Sequence, residues 1–181
     1  MYEILIKTIY LAGGCFWCTE AVFQRIKGVT SVIPGYIDGF IKNPAYREVS
    51  SERTGHTEAI SVDFDSERIS LVELLLIFFN THDPTTLNRQ QNDKGTQYRS
   101  GIYYTHPEQK IVIDAVIKQL EEAQVYEDPI VTEVKPSSTF YKSEKEHLNY
   151  YNLNKNQPYC TYIIDPKIEK LKKYFTNFIK S

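Results

Sequence analysis

The feature that most constrains the fold is the order in which apolar periodicity changes along the N-terminal half. A strand-like run from about Lys7 to Leu11 meets two glycines, Gly13 and Gly14, and helical spacing then takes over from about Cys15 to Lys27. A second strand is expected near Val29 to Tyr36. An irregular stretch containing "NPAY" and "SERTGH" leads to an alternating strand, "EAISVDFD", then to a helix, "SLVELLLIFFNTH". After a polar loop, "GIYYT" reads as another strand. This order, β-α-β-β-α-β, is that of a ferredoxin-like split β-α-β unit, so the fold class expected is an α/β (α+β) plait. To this core the chain adds a helix opened by Pro107, "PEQKIVIDAVIKQLEEAQ", a strand "IVTEVKP", and C-terminal helical pieces.

Size and charge narrow the function classes. With 181 residues, 41% hydrophobic and 24% charged, residues 1–181 can bury one sizeable core, and a single domain is expected. The formal net charge of -2, with Lys and Arg spread along the chain, gives no nucleic-acid face and no polybasic membrane anchor. In "KIEKLKKYF" the charges alternate with Ile168, Leu171, Phe175 and Ile179, the pattern of an amphipathic helix with a solvated back. The N-terminal "MYEILIKTIYLAGG" is interrupted by Glu3 and Lys7 and has no basic lead, so it does not read as a signal peptide, and a cytoplasmic, monomeric protein is expected.

The loop from Asp83 to Ser100 is long for a compact domain, and loops of that length usually serve a site. It carries Asp93 and Tyr98. The chain has 14 tyrosines, residues that pack while offering a hydroxyl to a polar network.

Three cysteines, an odd number, are too few for a secreted disulfide framework, so in a reducing compartment they are buried, catalytic or metal-binding. In "GGCFWC" the glycines permit a tight strand-to-helix turn, and Cys15 falls at the helix N-terminus, where backbone N–H groups favour a thiolate. Cys18 shares a helical row with Val22 and Ile26, which fits a buried small side chain as well as a reactive one. Three functions suit such a motif: a nucleophilic cysteine enzyme, a thioredoxin-like dithiol exchanger, and a soft-metal binding module. Zinc is disfavoured, because Cys160 is solitary and the four histidines show no paired ligand spacing; no metal and no cofactor are expected.

"GGCFWCTEAVFQRIKGVTSVIPGY", "NPAYREVSSERTGHTEAISVDFD", "FFNTHDPTTLNRQQNDKGTQYRS", "FYKSEKEHLNYY" and "QPYC" follow one another over nearly the whole chain, and in that order they resemble the A-type peptide methionine sulfoxide reductases. The resemblance implies an α/β plait and reduction of the S-epimer of methionine sulfoxide, free or in proteins. It also implies thioredoxin as the partner that returns the electrons.

Carried over by motif, the nucleophile is Cys15 in "GCFW", and Phe16 with Trp17 receives the substrate methyl. Glu58 in "GHTE" is the acid. Tyr46 in "NPAY" and Tyr98 in "GTQYR" offer hydroxyls to the sulfoxide oxygen, and Asp93 in "QND" belongs to the same pocket. A sulfoxide oxygen leaves only when protonated, so the carboxyl must stay neutral near neutral pH, which burial achieves. The sulfenic acid left on Cys15 then condenses with a second thiol.

The chain departs from the family where it has "GYIDG" and where Ser50 replaces a frequent cysteine. It departs more where Cys160 is followed by "TYIIDPKIEKLKKYF", a strand and helix by pattern rather than a mobile glycine-rich tail. Cys160 matches the family's "YC" position and is slightly favoured as resolving thiol, with Cys18 the other candidate. Glu144 and His147 in "SEKEHLNY" match a family block, a helix-surface pair explains them as well, and they are left out of the active set.

Overall fold

The computed structural model describes residues 5–181, so the first residues of the apolar N-terminal stretch, 1–4, lie outside the described part. Strand β1 (Ile6–Gly13) leads into helix α1 (Phe16–Phe23), strand β2 (Val29–Ile37), a short helix α2 (Tyr46–Ser50), strand β3 (Thr57–Asp65) and helix α3 (Leu71–Thr81). A two-residue hairpin, β4 (Arg89–Gln90) and β5 (Asp93–Lys94), precedes strand β6 (Ser100–Tyr104). Helix α4 (Pro107–Glu122), strands β7 (Glu133–Pro136) and β8 (Tyr141–Lys142), and helices α5 (Tyr150–Leu153) and α6 (Asp165–Tyr174) complete the chain.

The main sheet has the order β7-β6-β1-β3-β2-β8. Its central strands, β6-β1-β3-β2, are antiparallel throughout, which is the strand order of the expected plait, and β7 joins β6 in parallel. Strand alternation sorts the side chains onto two faces. Ile9, Leu11, Tyr36, Ile60, Val62, Phe64 and Ile102 enter the main core with α1 and α3, while Ala12, Ile37, Ala59 and Tyr103 form a smaller cluster on the other face. Each fully buried aliphatic or aromatic side chain adds roughly 1.5 to 3 kcal/mol.

Local signals set several boundaries. Ser70 and Glu73 form a reciprocal capping box that starts α3, with Ser70 N donating to Glu73 at 2.8 Å and Glu73 N to Ser70 Oγ at 3.1 Å. Pro107 opens α4 at the position where its missing N–H costs nothing.

Two elements differ from the sequence expectation. Helix α1 stops at Phe23 rather than near Lys27, because the C-terminus captures the following residues: Ile26 bridges Ile179, and Lys27 N donates to Phe178 O at 2.7 Å. Gly28 then turns the chain at φ 88°, where a Cβ would lie 2.7 Å from the Ile69 side chain. The second difference is "TYIID", which is not a strand. Cys160–Ile164 forms a π-helical turn running into α6. Its β-branched residues favour extended structure, but Cys160, Ile164, Ile168 and Leu171 bury one helical stripe against the core, and that burial overrides propensity.

Among the described residues no helix is long and apolar enough to cross a membrane.

Candidate active site

The turn between β1 and α1 is built for close approach. Gly14 adopts φ 91°, and a Cβ there would sit 2.5 Å from Gln90 Cγ, so glycine lets the 83–100 segment lie directly over the turn. That segment is a folded arm. Gln90 brackets Asp83, accepting from its N–H at 3.0 Å and donating to its carbonyl. Thr57 Oγ1 donates to Gln97 O at 2.9 Å, and Arg99 Nη2 donates to Gly55 O at 2.8 Å and to Asp38 Oδ2 at 3.0 Å. These bonds fix Asp93 and Tyr98 beside the start of β3.

Cys15 is the N-cap of α1 and is buried, at 7% exposure. The next backbone N–H, that of Phe16, donates to Glu58 Oε1 at 3.1 Å. This bond ties the carboxyl to the residue after the thiol. Glu58 is 1% exposed, and its pKa is raised to about 8. Burial is the largest cause; the Phe16 N–H opposes it, and the nearby charges of Asp93 and Cys18 add to it. Near neutral pH the carboxyl is therefore mostly protonated.

Cys15 departs from the sequence expectation. Burial pushes its thiol well above the ordinary value, the neighbouring Cys18 and the charge of Glu58 add to this, and the Trp17 N–H of the helix N-terminus only partly opposes it. Desolvation outweighs the end of so short a helix.

The aromatic pocket surrounds Phe16 and Trp17. Phe16 lies 5.7 Å from Tyr36, 6.5 Å from Tyr46 and 5.3 Å from His147, ring centroid to centroid. Trp17 stacks on Tyr150 at 3.8 Å and 9°, and Tyr159 meets it edge-on at 5.7 Å. Burial, followed by the charges of Glu58 and Cys15, raises the Tyr46 phenol to about 12 and raises that of Tyr98 as well. Both hydroxyls stay protonated and able to donate.

Glu144 and His147 are not a surface pair. Glu144 accepts from Tyr36 Oη at 3.2 Å and from Tyr46 N at 3.3 Å, while Trp17 Nε1 donates to His147 Nδ1 at 3.1 Å. Glu20, buried in α1, accepts from Asn149 N at 3.0 Å and pins this segment over Trp17. The i,i+3 spacing of Glu144 and His147 resembles any helix surface, so only the long-range contacts show their place.

Tyr159 also escapes the sequence reading, although it adjoins Cys160 in "QPYC". Its hydroxyl donates to Asp93 Oδ2 at 2.7 Å and lies 3.5 Å from Cys18 Sγ. A cavity of about 190 Å³ lined by Cys15, Cys18, Gln90, Asp93, Tyr159 and Lys167 reaches the two thiols. Cys160 is fully buried in the π-helical turn. Thus Cys15, Phe16, Glu58, Tyr46, Tyr98 and Asp93 converge on one site, with Trp17 on its rim.

Residues 7–178 match the model of the peptide methionine sulfoxide reductase family. The chain belongs to this family. A peptide methionine sulfoxide reductase of Trichodesmium erythraeum is 50% identical over 98% of this chain and 100% of its own length. The reduced form of Mxr1 from Saccharomyces cerevisiae superimposes with a TM-score of 0.75 at 34% identity, covering 86% of this chain and 89% of that one. Mxr1 in complex with Trx2 is similar at a TM-score of 0.55 and 25% identity, covering 83% and 88%. Membership makes the chain an enzyme that reduces methionine sulfoxide with thiols. A buried neutral acid beside a thiol and two phenols is what that reaction requires.

Proposed function

We propose that the chain reduces the S-epimer of methionine sulfoxide, free and in proteins, with Cys15 as nucleophile and Glu58 as proton donor. The observation that carries this reading is the fully buried Glu58 carboxyl, bonded to Phe16 N–H and protonated below about pH 8. Oxygen passes from the sulfoxide sulfur to Cys15, which becomes a sulfenic acid while the substrate gains two electrons as methionine. Glu58 gives the proton that stays on this oxygen, and the Cys15 thiol proton returns to Glu58. Tyr46 and Tyr98 donate hydrogen bonds to the oxygen as charge builds on it. Asp93 holds Tyr159 in the same pocket. A dithiol exchanger or a soft-metal module would give the buried acid and the two phenols no task. The decisive assay is dithiothreitol-dependent turnover of the separated epimers: consumption of the S-epimer alone supports the reading, and equal use of both epimers or insulin reduction without sulfoxide turnover refutes it.

Trp17 tests the pocket better than Phe16. Phe16 is fully buried, so its truncation would also cost about 3 to 5 kcal/mol of stability, whereas Trp17 is half-buried at the rim. Trp17→Ala is expected to lower kcat/KM by roughly 10- to 200-fold, the worth of one apolar pocket contact. An unchanged kcat/KM would remove Trp17 from the methyl site.

The second thiol in this reading is Cys18, in place of the Cys160 that the family's "YC" position favours. Cys18 lines the same small cavity as Cys15, whereas Cys160 is sealed in the π-helical turn. One equivalent of sulfoxide without external thiol should yield a Cys15–Cys18 disulfide on peptide mapping. Cys18→Ser should then hold a lasting sulfenic acid, and Cys160→Ser should not. A Cys15–Cys160 link would reverse the assignment. The yeast complex with Trx2 supports thioredoxin as the reductant that restores the dithiol. The role is repair of oxidised proteins by a monomer, in the cytoplasm, where thiols stay reduced.

A further inference from the structure

Asp38 directly follows β2 and holds φ 68°, a left-handed backbone that a side chain other than glycine adopts only at a cost. Such a conformation persists where the surroundings impose it. Here the contacts converge on one atom: Asp38 Oδ2 accepts from Arg99 Nη2 at 3.0 Å, from Lys135 Nζ at 3.0 Å and from Tyr103 Oη at 3.4 Å. The three donors come from the end of the 83–100 arm, from β7 and from β6.

Arg99 spends its whole fork on joining segments. Its side chain is 11% exposed; Nη1 donates to Thr96 O at 2.8 Å in the turn Thr96–Tyr98, Nη2 to Gly55 O at 2.8 Å, and Nε to Glu133 Oε2 at 3.4 Å on β7. Gly55 leads into β3 three residues before Glu58, and Tyr98 immediately precedes Arg99. One planar group therefore ties the segment carrying the acid to the segment carrying the phenol. Asp38 decides which way that group faces. Without its carboxylate, the other carboxylate that Arg99 meets among the described residues is Glu133, so the guanidinium would be drawn toward β7 and off Gly55 O. Lys135 bridges Asp38 and Glu133, at 3.0 and 3.3 Å, and balances the two carboxylates against two cations.

We propose that Asp38 and Arg99 are positioning residues of the reduction step, a clamp that sets the Tyr98 hydroxyl against the Glu58 carboxyl so that both meet one sulfoxide oxygen. The proposal rests on the reading of Glu58 as acid and Tyr98 as hydrogen-bond donor. Neither member of the clamp lines the cavity that reaches the thiols, so each acts through the segments it holds. The Tyr98 hydrogen bond strengthens as charge builds on the departing oxygen, so misplacing it lowers kcat more than it raises KM. Lysine at position 99 would keep the charge and lose the fork, since an ammonium offers no planar set of donors in fixed directions.

The test uses the full-length chain and follows sulfenic acid formation in a single turnover of the S-epimer. Asp38→Gly removes the carboxylate while suiting φ 68°, so the backbone is kept. It should slow the step by about 5- to 50-fold, less than the about 10²-fold of a lost donor, with KM nearly unchanged. Arg99→Lys should slow it similarly, and alkylation of Cys15 by iodoacetamide should hold its rate in both variants. The deciding measurement is the cycle with Tyr98→Phe: once the hydroxyl is gone, Asp38→Gly should cost less than about threefold more. The proposal is overturned if Asp38→Gly keeps the full rate, if its loss multiplies in full with that of Tyr98→Phe, or if alkylation falls in parallel. A Tyr98→Phe chain that itself keeps the full rate would instead remove Tyr98 from the oxygen site, and with it the reading on which the clamp rests.

Discussion

Cys15→Ser is expected to abolish methionine formation, lowering single-turnover reduction by about 10⁴-fold or more, as when a covalent nucleophile is removed. A serine hydroxyl fits the N-cap of α1 and leaves the Phe16 N–H to Glu58 bond in place, so the fold and the acid survive. The loss is chemical. An alcohol ionises too weakly to attack sulfur near neutral pH, and an alkoxide cannot take up the sulfoxide oxygen as a thiol does in becoming a sulfenic acid. Single-turnover conversion of the S-epimer, with circular dichroism to confirm folding, is the measurement. Activity within tenfold of the unsubstituted chain would refute Cys15 as nucleophile.

Glu58→Gln is expected to slow sulfoxide reduction by about 10²- to 10⁴-fold while leaving alkylation of Cys15 intact. The amide can still accept from Phe16 N–H but has no acidic proton for the departing oxygen. The pH dependence separates acid from scaffold. With the Glu58 pKa raised to about 8, the carboxyl is protonated below that pH and active; the unsubstituted enzyme should lose rate as pH rises through about 8. The glutamine variant should lack this descending limb. Because ionised Glu58 also raises the Cys15 pKa, its removal should not suppress iodoacetamide reactivity. Reduction and alkylation falling together, or a limb near 8 that persists in the variant, would show that Glu58 acts on the thiol or the fold and not as the acid.

The pocket was legible in the sequence where a short motif carries its own geometry. A glycine pair followed by a cysteine at the start of an apolar helix places the thiol on a strand-to-helix turn, and the structure puts Cys15 there. The upward displacement of its pKa was not legible, because desolvation depends on what covers the turn. The covering pieces are the arm bearing Asp93 and Tyr98, β3 with Glu58, and the segment with His147, all far away in sequence. Glu144 and Lys167 show the same limit. Each has the spacing of a solvated helix face, yet Glu144 takes hydrogen bonds from Tyr36 and Tyr46, and Lys167 turns inward to Thr81 O.

Periods of two and near four residues record only which side of an element is buried, and for β1 to β6 that was sufficient to determine the order of the plait. The order of quoted motifs likewise determined the family. Tertiary structure decided what no local pattern encodes. It ended α1 at Phe23 through pairing with the C-terminus, and it made "TYIID" helical because the core offered a stripe for Cys160, Ile164, Ile168 and Leu171. It also set Cys18, Tyr159 and Lys167 around one cavity. The physical reason is common to all three: burial and Coulomb energies depend on neighbours brought together by the whole fold, whereas propensity and periodicity are properties of consecutive residues.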